Sequence, residues 1–454
     1  MKSIFNTMKY SKFLAAIVLF FCDFSALAQI AEESSEHKQR MEWFDRAKLG
    51  IFIHWGIYAV NGISESWSFY NNYIPYTEYM EQAKGFTAKR YNPQEWVNLI
   101  KESGAQYTVI TTKHHDGVAL WDTQAGSLST KKSTPAKRDL ITPFAKIVRE
   151  SGLKLGLYYS LLDWSHPDYP NWTKTAVRYK ISDDTVRWQR FCDFNFAQLN
   201  EINKQFKPDL YWFDGDWEQT AKDWRAAEIV NMLRKDNLNV IFNSRIQGYG
   251  DYATPEQGVP VVRPKDSHWE LCMTMNDSWG WQPQDKNFKS PYMLLRTFVD
   301  CLSNGGNMLL DIGPREDGTI PQEEIDILKE FGRWTTKHKE AIYETRAGIP
   351  NEHFQGYTTL NPSGDILYLY LPYRPNGVVE IKGLVNKVNR VWVVGNGTML
   401  NYKVYNKNYW SEVPGNLYID VPDEVLDPQI TVLAVLLDGP AKLYRGAGQV
   451  ISVN

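Results

Sequence analysis

Between about residue 45 and residue 345, short apolar runs of strand length alternate with amphipathic segments of helical length. This alternation constrains the fold more than any other feature of the chain. The strand candidates are Leu49–His54, Tyr107–Lys113, Leu155–Ser160, Leu210–Asp214, Val240–Asn243, Leu271–Met275 and Met308–Ile312. Helices are expected over Pro93–Ser103, Leu140–Ser151, Val186–Phe206, Trp224–Arg234, Tyr292–Ser303 and Gln322–His338. In the third of these, Trp188, Phe191, Cys192, Leu199, Ile202 and Phe206 recur at three- and four-residue spacing, and Pro208 closes the run. Strand–helix alternation over about 300 residues predicts an α/β domain with a parallel sheet. A closed (β/α)8-like barrel fits a length of roughly 250 residues plus insertions. A doubly wound sheet needs a glycine-rich phosphate turn after its first strand, and here that strand ends in His54-Trp55-Gly56. The barrel is the expected architecture.

The flanking segments read differently. After Gly348-Ile349-Pro350, the runs Ile366–Leu371, Val378–Ile381, Val391–Val394, Leu417–Val421 and Ile430–Leu437 are separated by Gly, Pro and Asn turns. Short strands at such spacing predict a C-terminal antiparallel β-sandwich. At the other end, Lys2, Lys9 and Lys12 precede the apolar run Phe13–Cys22 and then Ala26-Leu27-Ala28. That is the pattern of a secretory signal, cleaved after Ala28, and the run is too short to span a bilayer. The expected organisation is a signal peptide over 1–28, a catalytic barrel over 38–347 and a sandwich over 350–454. The product is exported, to the periplasm or the medium.

Several function classes are disfavoured at once. The formal charge is −3 and no basic stripe is present, which argues against a nucleic-acid binder. Cys192, Cys272 and Cys301 form neither a disulfide framework nor a zinc spacing. They are expected as small buried residues, and a bridge between two of them stays open. There is no H-x-H or H-E-x-x-H ligand motif, so no metal is expected. The 17 Trp, 26 Tyr and 20 Phe suit either a large core or a surface that stacks on sugar rings.

The chemistry is concentrated where strands end. In a barrel the functional groups gather at the carboxyl ends of the strands. The first strand here ends in His54, the next in His114-His115-Asp116-Gly117, and a third in Tyr158-Tyr159-Ser160. A fourth ends in Trp212-Phe213-Asp214-Gly215 and a fifth in Asn243-Ser244-Arg245. Alternation along a strand puts Trp212 and Asp214 on one side, with Tyr211 and Phe213 on the other. A carboxylate beside an indole suits a nucleophile next to a sugar-stacking platform. Adjacent on an extended chain, His114 and His115 point to opposite faces, which favours hydrogen bonding to hydroxyls over shared metal ligation.

Five runs together carry a specific resemblance: Phe52-Ile53-His54-Trp55-Gly56, Lys113-His114-His115-Asp116-Gly117, Tyr158-Tyr159-Ser160, Trp212-Phe213-Asp214-Gly215 and Gly305–Gly318. They resemble, in order and across the whole barrel region, the α-L-fucosidases of glycoside hydrolase family 29. The resemblance implies a catalytic barrel followed by a β-sandwich, no cofactor, and cleavage of terminal α-L-fucose with retention. It implies Asp214 as nucleophile, with His54, Glu65, His114, His115, Tyr158, Trp212 and Arg245 holding the sugar. Trp279 matches an aromatic against the sugar's methyl group. Trp67 joins the binding set, although Ser66 separates it from Glu65 where the family often has Glu and Trp adjacent.

Two residues compete for the general acid/base. Glu256 lies in a stretch beyond Arg245 that reads as a mobile loop able to swing over the leaving oxygen. Glu270 begins a strand, at the face away from the mouth, and is the second candidate. A fucosylated glycan is the expected partner, and the oligomeric state is left open. A binding-only protein would lack the nucleophile, and Asp214 is present. A glycosidase for a related sugar such as α-L-galactose, which differs only at the methyl position, stays open.

Overall fold

The structure is a computed structural model that describes residues 34–262, 264 and 266–446. The expected signal sequence lies outside the described residues. Seven strands form one parallel sheet: β1 (Leu49–Ile53), β2 (Tyr107–Lys113), β3 (Lys154–Ser160), β4 (Leu210–Asp214), β5 (Ile241–Phe242), β6 (Glu270–Thr274) and β7 (Asn307–Ile312). Their order is β5-β4-β3-β2-β1-β7-β6. Each falls within a residue or two of an expected run.

The sheet curls, and the chain between its two edge strands fills the remaining gap. Asp251 N–H donates to Phe242 O next to β5 (2.8 Å). On the other side Ala253 N–H donates to His268 O (3.0 Å), Cys272 N–H to Pro255 O (3.1 Å) and Gln257 N–H to Cys272 O (2.9 Å). Pro255 has no N–H to offer a ladder, so residues 251–257 form an irregular eighth stave instead of a strand. The expected mobile loop is therefore corrected: Glu256 rides on the barrel wall.

Strand alternation sorts the side chains into two cores. Phe52, Tyr107, Val109, Tyr158, Leu210, Trp212 and Leu309 fill the barrel interior. Ile51, Ile53, Ile110, Leu157, Tyr211 and Phe213 face the surrounding helices. Helix α1 (Ser35–Ala47), capped by Ser34 Oγ on His37 N–H, inserts Met41, Phe44 and Ala47 into the interior cluster and so plugs its lower end. The outer helices are α2 (Pro93–Glu102), α3 (Ile141–Glu150), α4 (Thr185–Phe206), α5 (Ala226–Asp236), α6 (Pro291–Ser303) and α7 (Gln322–Lys337). Lys207, at φ 45°, turns the chain left-handed after α4 before Pro208, a common helix stop. Cys192, Cys272 and Cys301 are buried and unbridged.

The C-terminal part is two antiparallel sheets. Five strands run in the order Arg346–Ala347, Tyr357–Leu360, Ile366–Leu371, Thr431–Leu437 and Val388–Val393, and three in the order Val378–Lys382, Asn416–Asp420 and Tyr402–Tyr405. Leu367, Leu369, Leu433 and Val435 pack with Val379, Ile381, Leu417 and Ile419 between the sheets. The opposite face of the larger sheet, with Tyr368, Tyr370, Val432 and Ala434, packs on the barrel helices. Both faces of its central strands are covered, which is why ILYLYL and TVLAVLL are almost wholly apolar.

Candidate active site

At the carboxyl ends of the strands lies a cavity of about 220 Å³, with room for one pyranose ring. Its wall is aromatic, from Phe52, Trp67, Tyr158, Trp212, Trp217 and Trp279; His54, Glu65, His114, Asp214, Arg245 and Glu256 supply the polar groups.

Asp214 is the last residue of β4. Gly215 turns the chain sharply after it at φ 79°, and a Cβ there would meet the Leu162 side chain at 2.4 Å. The carboxylate accepts from Tyr158 Oη–H at 2.9 Å on Oδ2 and from Arg245 Nη1 at 2.8 Å on Oδ1. A charged donor and a phenol on separate oxygens fix the orientation of the carboxylate. The other nitrogen of that guanidinium, Nη2, bonds Glu256 Oε2. One guanidinium thus grips both carboxylates while lying over the Trp212 ring, 4.6 Å from its centroid. Burial works against the Arg245 charge, but the pairing with two carboxylates outweighs it and raises the already high pKa, so the charge is permanent.

Three imidazoles are anchored through Nδ1. His54, just past β1, meets Asp311 Oδ1 of the neighbouring β7 at 2.7 Å. Burial pushes the Asp311 carboxyl well above its ordinary range and the His54 imidazole well below, favouring the neutral form of each. His114 Nδ1 meets Ser66 Oγ at 2.6 Å, and its ring stacks on Tyr158 at 5.7 Å. His115 Nδ1 meets Ser160 Oγ at 2.5 Å. With Nδ1 occupied in each ring, Nε2 is the nitrogen left for other contacts.

His115 departs from expectation. It does not line the cavity; it is fully buried behind Asp214, with Nε2 3.5 Å from Oδ2. Burial, with Lys113 and Arg245 adding to it, pushes its pKa down to about 3, so it is a neutral support. Nor do the two histidines diverge as they would on a strand. Strand β2 ends at Lys113, and the turn beyond it brings their rings to 4.2 Å.

Glu65 is 4 % exposed and accepts from Gly280 N–H at 2.7 Å, which joins its segment to the loop bearing Trp279. Burial pushes its pKa up to about 7. Trp279 packs on His54 at 4.9 Å. Trp67 lines the cavity and stacks on Trp217 at 6.1 Å, so Ser66 between Glu65 and Trp67 does not carry the indole away.

Glu270 does not reach the cavity. At the first position of β6 it is wholly buried in the barrel interior, accepting from Tyr107 Oη–H at 2.5 Å and Trp212 Nε1–H at 3.1 Å. It holds Trp212 from beneath. Phe52 and Trp217 are site residues that sequence reasoning did not name. Phe52 shares a face of β1 with His54 two residues on, a signal the alternation carried. Trp217 lies three residues past Asp214, in the single 3-10 turn Asp216–Glu218, too short for any periodicity to mark it.

The family model described as alpha-L-fucosidase matches residues 25–340. The tissue alpha-L-fucosidase of Mus musculus is 30 % identical over 381 residues, covering 77 % of this chain and 82 % of its own. Alpha-L-fucosidase isoenzyme 1 from Paenibacillus thiaminolyticus superposes with a TM-score of 0.81 at 32 % identity, covering 89 % of this chain and 100 % of its own. A Bacteroides thetaiotaomicron alpha-L-fucosidase of family GH29, trapped as a covalent intermediate with 2-fluoro-fucosyl fluoride, gives a TM-score of 0.76 at 26 % identity, covering 88 % and 96 %.

Proposed function

Since the chain belongs to the α-L-fucosidases of glycoside hydrolase family 29, we propose that it removes terminal α-L-fucose from glycans through a covalent fucosyl-enzyme ester. The observation that carries this reading is the single Arg245 guanidinium bonded to both Asp214 and Glu256 at the cavity. It keeps the two carboxyl groups within the span of one guanidinium and two hydrogen bonds. That suits the roughly 5–5.5 Å separation of a retaining pair.

In this reading Asp214 attacks the anomeric carbon, and Tyr158 and Arg245 hold its two oxygens in place for the attack. Glu256 protonates the departing oxygen, then takes a proton from the incoming water. It is the acid/base in preference to Glu270, which the barrel interior separates from the cavity. His54, His114 and Glu65 bind the ring hydroxyls, and Trp67, Trp212 and Trp279 pack on its apolar faces. Burial toward the neutral acid at Glu65 equips it both to donate and to accept. The N-terminal signal pattern supports an exported enzyme.

Time-resolved NMR of fucose release from an aryl α-L-fucoside tests the proposal. α-Fucose is expected to form first and to equilibrate to β only later. Initial β-fucose, or no hydrolysis of any fucoside in a linkage panel, would overturn it.

A further inference from the structure

The smaller sheet of the sandwich carries a second concave surface outside the active site. Along Val378–Lys382, Val379 and Ile381 point into the core, so Val378, Glu380 and Lys382 face outward. Tyr418 and Asn416 of the neighbouring strand lie on that same outer face, paired across from Glu380 and Lys382. Val378, Glu380, Lys382 and Tyr418 form the floor of a cleft of about 700 Å³. One wall is the segment 351–355, joined to the edge of the sheet by Lys382 N–H on His353 O (2.8 Å). The other wall is the turn that holds Tyr373 and Arg374.

Its chemistry is mixed in a particular way. The Tyr418 ring meets Tyr405 edge to face at 5.6 Å, and Tyr373 is 39 % exposed. Between the rings, Glu380 Oε1 accepts from both Asn416 Nδ2 (2.7 Å) and Tyr418 Oη (2.8 Å). That fixes the carboxylate and leaves Oε2 to accept from a ligand. Flat rings beside a pre-oriented carboxylate and the donor Lys382 match a sugar chain, with apolar C–H faces and equatorial hydroxyls, while the Arg374 guanidinium at the rim is paired with Asp423.

The position of the cleft agrees with its chemistry. Helix α6 follows β6, so its first turn lies at the mouth end of the barrel. There Tyr292 Oη–H donates to Pro372 O, tying the Tyr373 turn to that end of the molecule. We propose that this cleft binds pyranose units of the same glycan whose terminal fucose enters the active site, as a distal glycan-binding site. This rests on the function proposed above.

The test uses the full chain with Tyr373→Ala, Tyr418→Ala and the milder Glu380→Gln. Kinetics are measured on an aryl α-L-fucoside and on a fucosylated mucin. Each variant is expected to leave the aryl substrate unchanged and to raise KM for the mucin about fivefold or more. In an Asp214→Asn background the same changes should weaken retention on immobilised fucosylated mucin. Unchanged KM and retention in all three variants would overturn the proposal. So would parallel losses on both substrates, which mean a structural role, or a change in molecular mass by light scattering, which means a protein interface. If the unmutated protein hydrolyses no fucoside, the proposed function fails, while mucin retention still reports on the cleft.

Discussion

Replacing Glu270 by Gln separates an interior carboxyl from a catalytic one. The side chain is wholly buried, with Tyr107 and Trp212 as partners. Burial moves its pKa from 4.5 up to about 7, the two hydrogen bonds pulling the other way. Between pH 4.5 and 7 the native state therefore binds more protons at this site than the unfolded chain does. Stability falls as pH rises through that window and levels off above it. At about 1.4 kcal/mol per pH unit, ionising the buried group costs the native state ~3 kcal/mol. Gln reproduces the neutral acid: Oε1 accepts from Trp212, and Nε2 donates to the Tyr107 oxygen. Glu65 and Asp116, also pushed up by burial, affect both proteins alike and cancel in the comparison. Urea unfolding followed by circular dichroism should give nearly equal stabilities at pH 5. At pH 8.5 Glu270→Gln should be the more stable by ~3 kcal/mol. The ratio of kcat/KM for an aryl fucoside to that for an oligosaccharide should not move. An advantage that is absent at pH 8.5, or a loss equal at every pH, would refute the burial argument. A changed substrate ratio would return Glu270 to the acid/base role.

Asp214→Gly should lose turnover by several orders of magnitude, and azide should restore part of it by attacking the anomeric carbon from the vacated face. The product of the α-fucoside is expected to be β-fucosyl azide; the α-azide by NMR would contradict the nucleophile assignment. Glu256→Ala should slow release from oligosaccharides by about 10²–10⁴-fold while sparing a fucoside with a good leaving group, and equal losses on both would exclude it as the acid.

The parts of this architecture that were legible in the sequence are those set by local periodicity. Trp212 and Asp214 line the cavity, while Tyr211 and Phe213 stack outward at 5.5 Å, as two-residue alternation requires. Three other features depend on contacts between distant residues. The Asp311 anchor of His54 is 257 positions away. The stave at 251–257 forms only because β5 and β6 leave a gap that it can fill. The strands Tyr357–Leu360 and Tyr402–Tyr405 are four residues each. The second is largely exposed, so no hydrophobic alternation marks it. The divergent placement expected of His114 and His115 failed for a local reason, because the strand stops one residue before them.

The shared guanidinium also bears on how the two proposed half-reactions follow each other. Before attack, Arg245 divides its attraction between Asp214 and Glu256. When Asp214 becomes an ester it loses its negative charge, and Glu256, having just released its proton, becomes the only carboxylate left on the guanidinium. When water breaks the ester, Asp214 regains its charge and draws Arg245 back. A neutral hydrogen-bond donor in place of Arg245 would lack this exchange, because its preference for an anion is far weaker. In the proposed mechanism the charge of Arg245 therefore couples the two carboxyl groups, beyond fixing their positions.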